Sequence, residues 1–201
     1  MPSGSRRPSS LVILKTLFFA WATTIGPAAA QQPRVRQGAW LGLEVGYGDL
    51  RRSAAEEGTS QRGTFSLGVR GGVTLQPWLR VGLFFKGWSI EAGNLYDPTE
   101  GEAVNEAGLE ARIYPWPRGN VFVRMSAARS SYFSNRVGEF DSRGWGGGIG
   151  VGVERRLPRH AVATAAIGYH AGTLGSVRNA VQVSTGRRYR VLDVSVGISY
   201  R

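Results

Sequence analysis

The stretch Leu192-Asp193-Val194-Ser195-Val196-Gly197-Ile198-Ser199-Tyr200 decides the fold. Leu192, Val194, Val196, Ile198 and Tyr200 share one parity, and Asp, Ser, Gly and Ser fill the other. A β-strand sends successive side chains to opposite faces, so this is a strand with one apolar face and one small, polar face. Working back along the chain, the same texture recurs in residues 40–49, 64–75, 78–89, 106–114, 121–131, 144–155 and 161–171. The seventh of these is the weakest, because Ala and Val occupy both of its faces. No stretch carries a sustained helical period.

Segments of about ten alternating residues match the length of a tilted strand that crosses a bilayer. The connections alternate too. Residues 76–77, 115–120 and 156–160 are short and contain Pro, while 50–63, 90–105, 132–143 and 172–187 are long and polar. Eight strands, short turns on one side and long loops on the other predict an all-β, eight-stranded antiparallel up-and-down transmembrane β-barrel with the long loops outside. Strand eight closes the barrel against residues 40–49.

Upstream of the barrel the sequence reads as an export signal. Arg6 and Arg7 precede an apolar run over residues 11–22, and Ala28-Ala29-Ala30 offers a cleavage site. The expected organisation is a signal peptide over 1–30, a periplasmic lead-in over 31–37 and an outer-membrane barrel domain over 38–201. Cysteine is absent, which excludes disulfides, thiolate metal sites and a thiol nucleophile.

The formal net charge of +11 remains strongly basic without Arg6, Arg7 and Lys15. Arg is scattered through loops and strands, with no basic helix and no nucleic-acid motif, so no nucleic-acid partner is expected. Attraction to phosphate-rich lipopolysaccharide suits an exported basic chain better. Eight arginines of the long loops would offer that contact: Arg51, Arg52, Arg62, Arg136, Arg143, Arg178, Arg187 and Arg188.

Alternation alone does not say which face is outside. Three features put the apolar row outward. The polar row is rich in Gly, which weakens a solvated strand but suits the cramped interior of an eight-strand barrel. Aromatics gather near strand ends as two belts, Trp40, Trp78, Tyr114, Trp116 and Tyr200 on the short-turn side and Tyr47, Tyr132, Trp145, Tyr169 and Tyr189 on the other. The charges of the polar row also nearly balance: Glu44, Glu106, Glu110, Glu154 and Asp193 against Arg70, Arg80, Lys86, Arg112 and Arg124.

Buried charges cost several kcal/mol unless paired, so these ten should form a lumenal network that leaves little room for a channel. Glu44 with Arg70 and Glu110 with Arg124 are the adjacent-strand pairs expected, with Asp193 competing for Arg70. A small pore or solute carrier is the alternative.

On these features the chain resembles the small eight-stranded outer-membrane barrels of Gram-negative bacteria, of the OmpA and OmpX types, across residues 40–200. The ending from Val196 to Tyr200, followed here by Arg201, is similar to the signal read by the barrel-assembly machinery. The resemblance implies a monomeric outer-membrane protein without a cofactor, acting in membrane integrity or surface interaction. The outer-membrane lipid A deacylases carry a His with a Ser two residues later; here His170 is followed at that spacing by Gly172. Ser176 stands nearby at no fixed spacing, and His160 lies in a turn, so no catalytic residue is assigned. Gly146 to Gly152 lacks the following helix of a phosphate loop. The acids Asp97, Glu100, Glu102, Glu139 and Asp141 lack calcium-loop spacing and are expected to be solvated, with no metal.

Overall fold

The computed structural model describes residues 37–54, 58–91, 102–116, 118–134, 142–178 and 183–201. The proposed signal peptide lies outside the described residues. Eight strands follow in order: β1 (Gly38–Ala54), β2 (Gly58–Gln76), β3 (Leu79–Glu91), β4 (Glu102–Ile113), β5 (Val121–Ser134), β6 (Ser142–Arg156), β7 (Ala161–Arg178) and β8 (Val183–Tyr200). Each pairs antiparallel with its sequence neighbours, and β8 returns to β1 with Leu41 opposite Tyr200 and Val45 opposite Val196. The sheet is a closed barrel with no free edge.

The alternation read from the sequence becomes two surfaces. Leu41, Leu43, Leu67, Leu83, Leu109, Ile149, Leu192 and Ile198 are all exposed, although they are the most apolar side chains of the wall. Glu44, Arg70, Arg80, Lys86, Glu110, Arg124 and Asp193 are buried. A soluble barrel would hide the first set and show the second. The outer surface is therefore built for an apolar solvent.

The strands are longer than their alternating cores. β1, β2, β7 and β8 run 17, 19, 18 and 18 residues, against roughly 9–11 needed to cross a bilayer. Segments 50–63 and 172–187, expected as long loops, are therefore largely strand extensions. β3 to β6 likewise extend into 90–105 and 132–143. On the opposite rim the connections are tight. In the β6–β7 turn Arg159 and His160 both adopt positive φ, of 59° and 66°, the paired left-handed geometry of a two-residue hairpin loop.

Glycines on the inner face of β6 make space for large interior side chains. A Cβ on Gly146 would lie 2.0 Å from the Tyr189 hydroxyl, one on Gly148 2.7 Å from His170, and one on Gly152 2.5 Å from Phe122. The glycine run is thus the wall against which the lumen is packed.

The aromatics expected in two belts divide between the outer and inner faces. Trp78, Trp116 and Tyr200 on the short-turn side, and Tyr47, Trp145 and Tyr169 on the other, face outward as belts require. Trp40, Tyr114, Tyr132 and Tyr189 instead turn inward and are buried. Their parity is the cause: Trp40 shares it with Glu44, Tyr114 with Arg112, Tyr132 with Arg124 and Tyr189 with Asp193.

Candidate functional site

The interior carries the chemistry of this molecule, and all ten charges expected there are buried. Nine of them join in one chain of contacts. Arg80 donates to Glu154 at 2.9 Å, and the Arg112 guanidinium lies 3.4 Å from the same carboxylate. Arg112 Nε donates to Glu110 Oε1 at 2.7 Å, while Arg70 Nη1 donates to Glu110 Oε2 at 2.7 Å. Arg70 also pairs with Glu44, which further receives Lys86 at 3.0 Å and Arg124 at 3.3 Å. Lys86 completes the chain by pairing with Asp193.

The topology shows why these contacts fill the lumen. β1 and β5 stand four staves apart in a ring of eight, so the Glu44–Arg124 pair crosses the barrel's width. Arg80 to Glu154 joins β3 to β6, and Lys86 to Asp193 joins β3 to β8. The Glu44–Arg70 pair forms as read from the sequence. Glu110 does not pair with Arg124, because Arg112 and Arg70 already occupy both of its oxygens. Nor does Asp193 compete for Arg70; it binds Lys86 instead.

The tenth charge, Glu106, sits apart. It accepts hydrogen bonds from the Tyr189 hydroxyl and faces His170 Nδ1 at 2.9 Å. The His170 ring stands edge-on to Trp88 at 5.0 Å between centroids. His170 is 3% exposed, so it is enclosed rather than poised at a rim. The side chain of Ser176 lies outside the described residues. His160 is an exposed turn residue whose ring meets Tyr200.

Two apolar layers bracket the charges, and sequence reasoning missed both. Toward the long-loop side, Leu50, Trp88, Val104, Tyr132, Leu174, Tyr189 and Val191 form one buried cluster. Toward the short-turn side, Tyr114, Phe122 and Ala166 form another. Cations lie against these rings: Arg112 over Trp40 and Phe122, Arg80 over Tyr114, and Lys86 over Trp88, each 4.8–5.4 Å from a ring centroid. Arg201, which follows the last strand, turns back to donate to Glu154 at 2.8 Å. Strand parity within 78–89 would have found Trp88, and the same parity carried beyond the apolar segments would have found Tyr132 and Tyr189.

The basic loop set divides. Arg51, Arg62, Arg143 and Arg188 are exposed, with Arg51 3.8 Å from Asp49. Arg52 and Arg187 instead turn inward: both face Tyr132 at the long-loop end of the barrel, at 5.1 and 5.4 Å from its ring. Arg52 also pairs with Glu102 at 3.0 Å, so Glu102 is not a solvated acid. β1 and β8 continue past the expected strand ends, and their alternation turns these two arginines inward. Arg136, Asp97, Glu100, Glu139 and Asp141 lie outside the described residues, and only the backbone of Arg178 is described.

No known protein family matches the chain, and no curated protein matches it in sequence. Solved structures do match in three dimensions. Neisserial surface protein A is 18% identical, with a TM-score of 0.51 over 82% of this chain and 99% of its own. The outer membrane protein AlkL, determined in lipid bilayers, is 14% identical with a TM-score of 0.48, over 87% of this chain and 95% of its own. OprG from Pseudomonas aeruginosa is 14% identical with a TM-score of 0.42, over 82% and 96%. At such identities the likeness is one of fold. The chain has the fold of the small eight-stranded outer-membrane β-barrels.

Proposed function

We propose that this protein is a non-catalytic barrel of the bacterial outer membrane with a sealed lumen, acting in membrane integrity or in surface contact through its outer strand extensions and loops. The observation that carries this reading is the Glu44–Arg124 pair, 3.3 Å apart from opposite walls within a continuous ion-pair network. Apolar layers lie on both sides of that network. Side chains fill the interior of barrels this size, and paired charges hold one another in place. His170, enclosed by Trp88 and Glu106, supports a packing role rather than a catalytic one.

Export through a cleaved N-terminal signal, assembly by the barrel-assembly machinery and a monomeric state belong to the same reading. Planar-bilayer recording of the purified protein tests it. Insertion without unitary conductance is the expected result. Stable, voltage-independent openings would favour a small solute pore and contradict the seal.

A further inference from the structure

The pairing register sets out the outer wall of β2 to β6 row by row. Across one level run Val73, Val81, Ala111, Met125 and Ile149; the next holds Gly71, Leu83, Leu109, Ala127 and Gly147. Above them come Val69, Phe85, Ala107, Arg129 and Trp145, and then Leu67, Gly87, Asn105, Ser131 and Arg143. The lower two rows are apolar. The upper two introduce two arginines, an amide and a hydroxyl at the long-loop margin of the apolar belt.

Small residues hollow the apolar part of this wall. Gly71, Ala111 and Ala127 stand beside Leu83 and Leu109, which are 67% and 66% exposed. The result is a concavity of about 620 Å³ open to the outside. Directly above it lies a second hollow of about 300 Å³, lined by Asn105, Arg129, Ser131 and Arg143 among others. Arg129 is braced over the Trp145 ring at 5.2 Å.

An apolar groove that ends in a basic, hydrogen-bonding pocket complements an amphiphile with acyl chains below and a phosphate above. Arginine suits phosphate, because its planar fork donates two parallel hydrogen bonds. We infer that the β2–β6 wall holds a phosphorylated glycolipid of the outer leaflet, with lipid A phosphate on Arg129 and Arg143 and acyl chains along Gly71, Ala111 and Ala127. Asn105 and Ser131 stand where sugar hydroxyls would lie. The inference rests on the outer-membrane reading proposed above, since that leaflet supplies the ligand and places the long-loop margin at its head groups.

Native mass spectrometry of the refolded, delipidated protein in detergent tests the site. The probes are bisphosphorylated lipid A, its monophosphorylated form and phosphatidylglycerol. Arg129→Ala/Arg143→Ala removes the phosphate contacts, and Ala127→Phe fills the groove. Heat-modifiable electrophoretic mobility selects folded barrels in each case.

Lipid A binding should fall about thirtyfold in the double variant, as expected for two basic groups at an anionic lipid surface. It should also weaken in Ala127→Phe and for the monophosphorylated lipid. Equal lipid A affinity in wild type and the double variant overturns the site, as does equal competition by phosphatidylglycerol. Either outcome, in a protein that inserts into bilayers without conductance, leaves the sealed-barrel reading standing.

Discussion

Replacing Glu44 with Leu should cost about 3–5 kcal/mol of folding free energy, the range for breaking a buried pair by removing one partner. Glu44 is 5% exposed and receives Arg70, Lys86 and Arg124. Arg70 keeps Glu110 and Lys86 keeps Asp193 after the change. Arg124 loses its cross-lumen carboxylate and carries most of the cost.

Adding Arg124→Met to Glu44→Leu should therefore recover a large part of the loss. A double-mutant cycle would report their coupling directly. Urea titration of folding into detergent micelles or thin vesicles supplies the free energies. A loss below about 1 kcal/mol for Glu44→Leu would mean that water, rather than the ion-pair network, satisfies the lumen.

The second large effect belongs to the outer wall. Leu43 is 55% exposed at the middle of the apolar belt. Leu43→Arg should cost about 2–4 kcal/mol, as expected for Arg near a bilayer midplane. Ser89→Arg, at the long-loop margin of the same surface, should cost about 0–1 kcal/mol, because the charge reaches head groups and water. The difference between the two depths is the informative quantity. A water-facing wall would accept both arginines at similar, negligible cost.

Much of this architecture is legible in the sequence because one period governs it. Leu192, Val194, Val196 and Ile198 on one parity and Asp193 on the other suffice to define β8, its two faces and its lumenal charge. Gly146, Gly148 and Gly152 read correctly as barrel wall, since no helix follows them. The strand ends were less legible. Beyond the apolar belt both faces of β1 and β8 meet water or the mouth of the barrel, so Arg51, Arg52, Arg187 and Arg188 show no hydrophobic alternation.

Individual ion pairs were the hardest to read. Sequence adjacency suggests Glu110 with Arg124, but long side chains in a narrow lumen reach across as easily as sideways. Both Glu110 oxygens are taken by Arg112, two residues along the same strand, and by Arg70, two strands away on β2. The interior aromatics were recoverable in principle. Trp40, Tyr114, Tyr132 and Tyr189 obey the inward parity, and only the expectation of interfacial belts assigned them outward.

The exposed apolar parity of the wall is a surface for lipid, and the buried polar parity packs the interior. The sequence contains no cysteine, so spin labels can be placed singly at residues 192–200 in the otherwise native chain. In lipid vesicles, collision with oxygen and with a water-soluble nickel chelate distinguishes the environments. High oxygen and low nickel accessibility at Leu192, Val194, Val196 and Ile198, alternating with low values for both at Asp193, Ser195 and Gly197, is the predicted result. Nickel accessibility at the Leu192 parity, or the loss of the two-residue period, would contradict it.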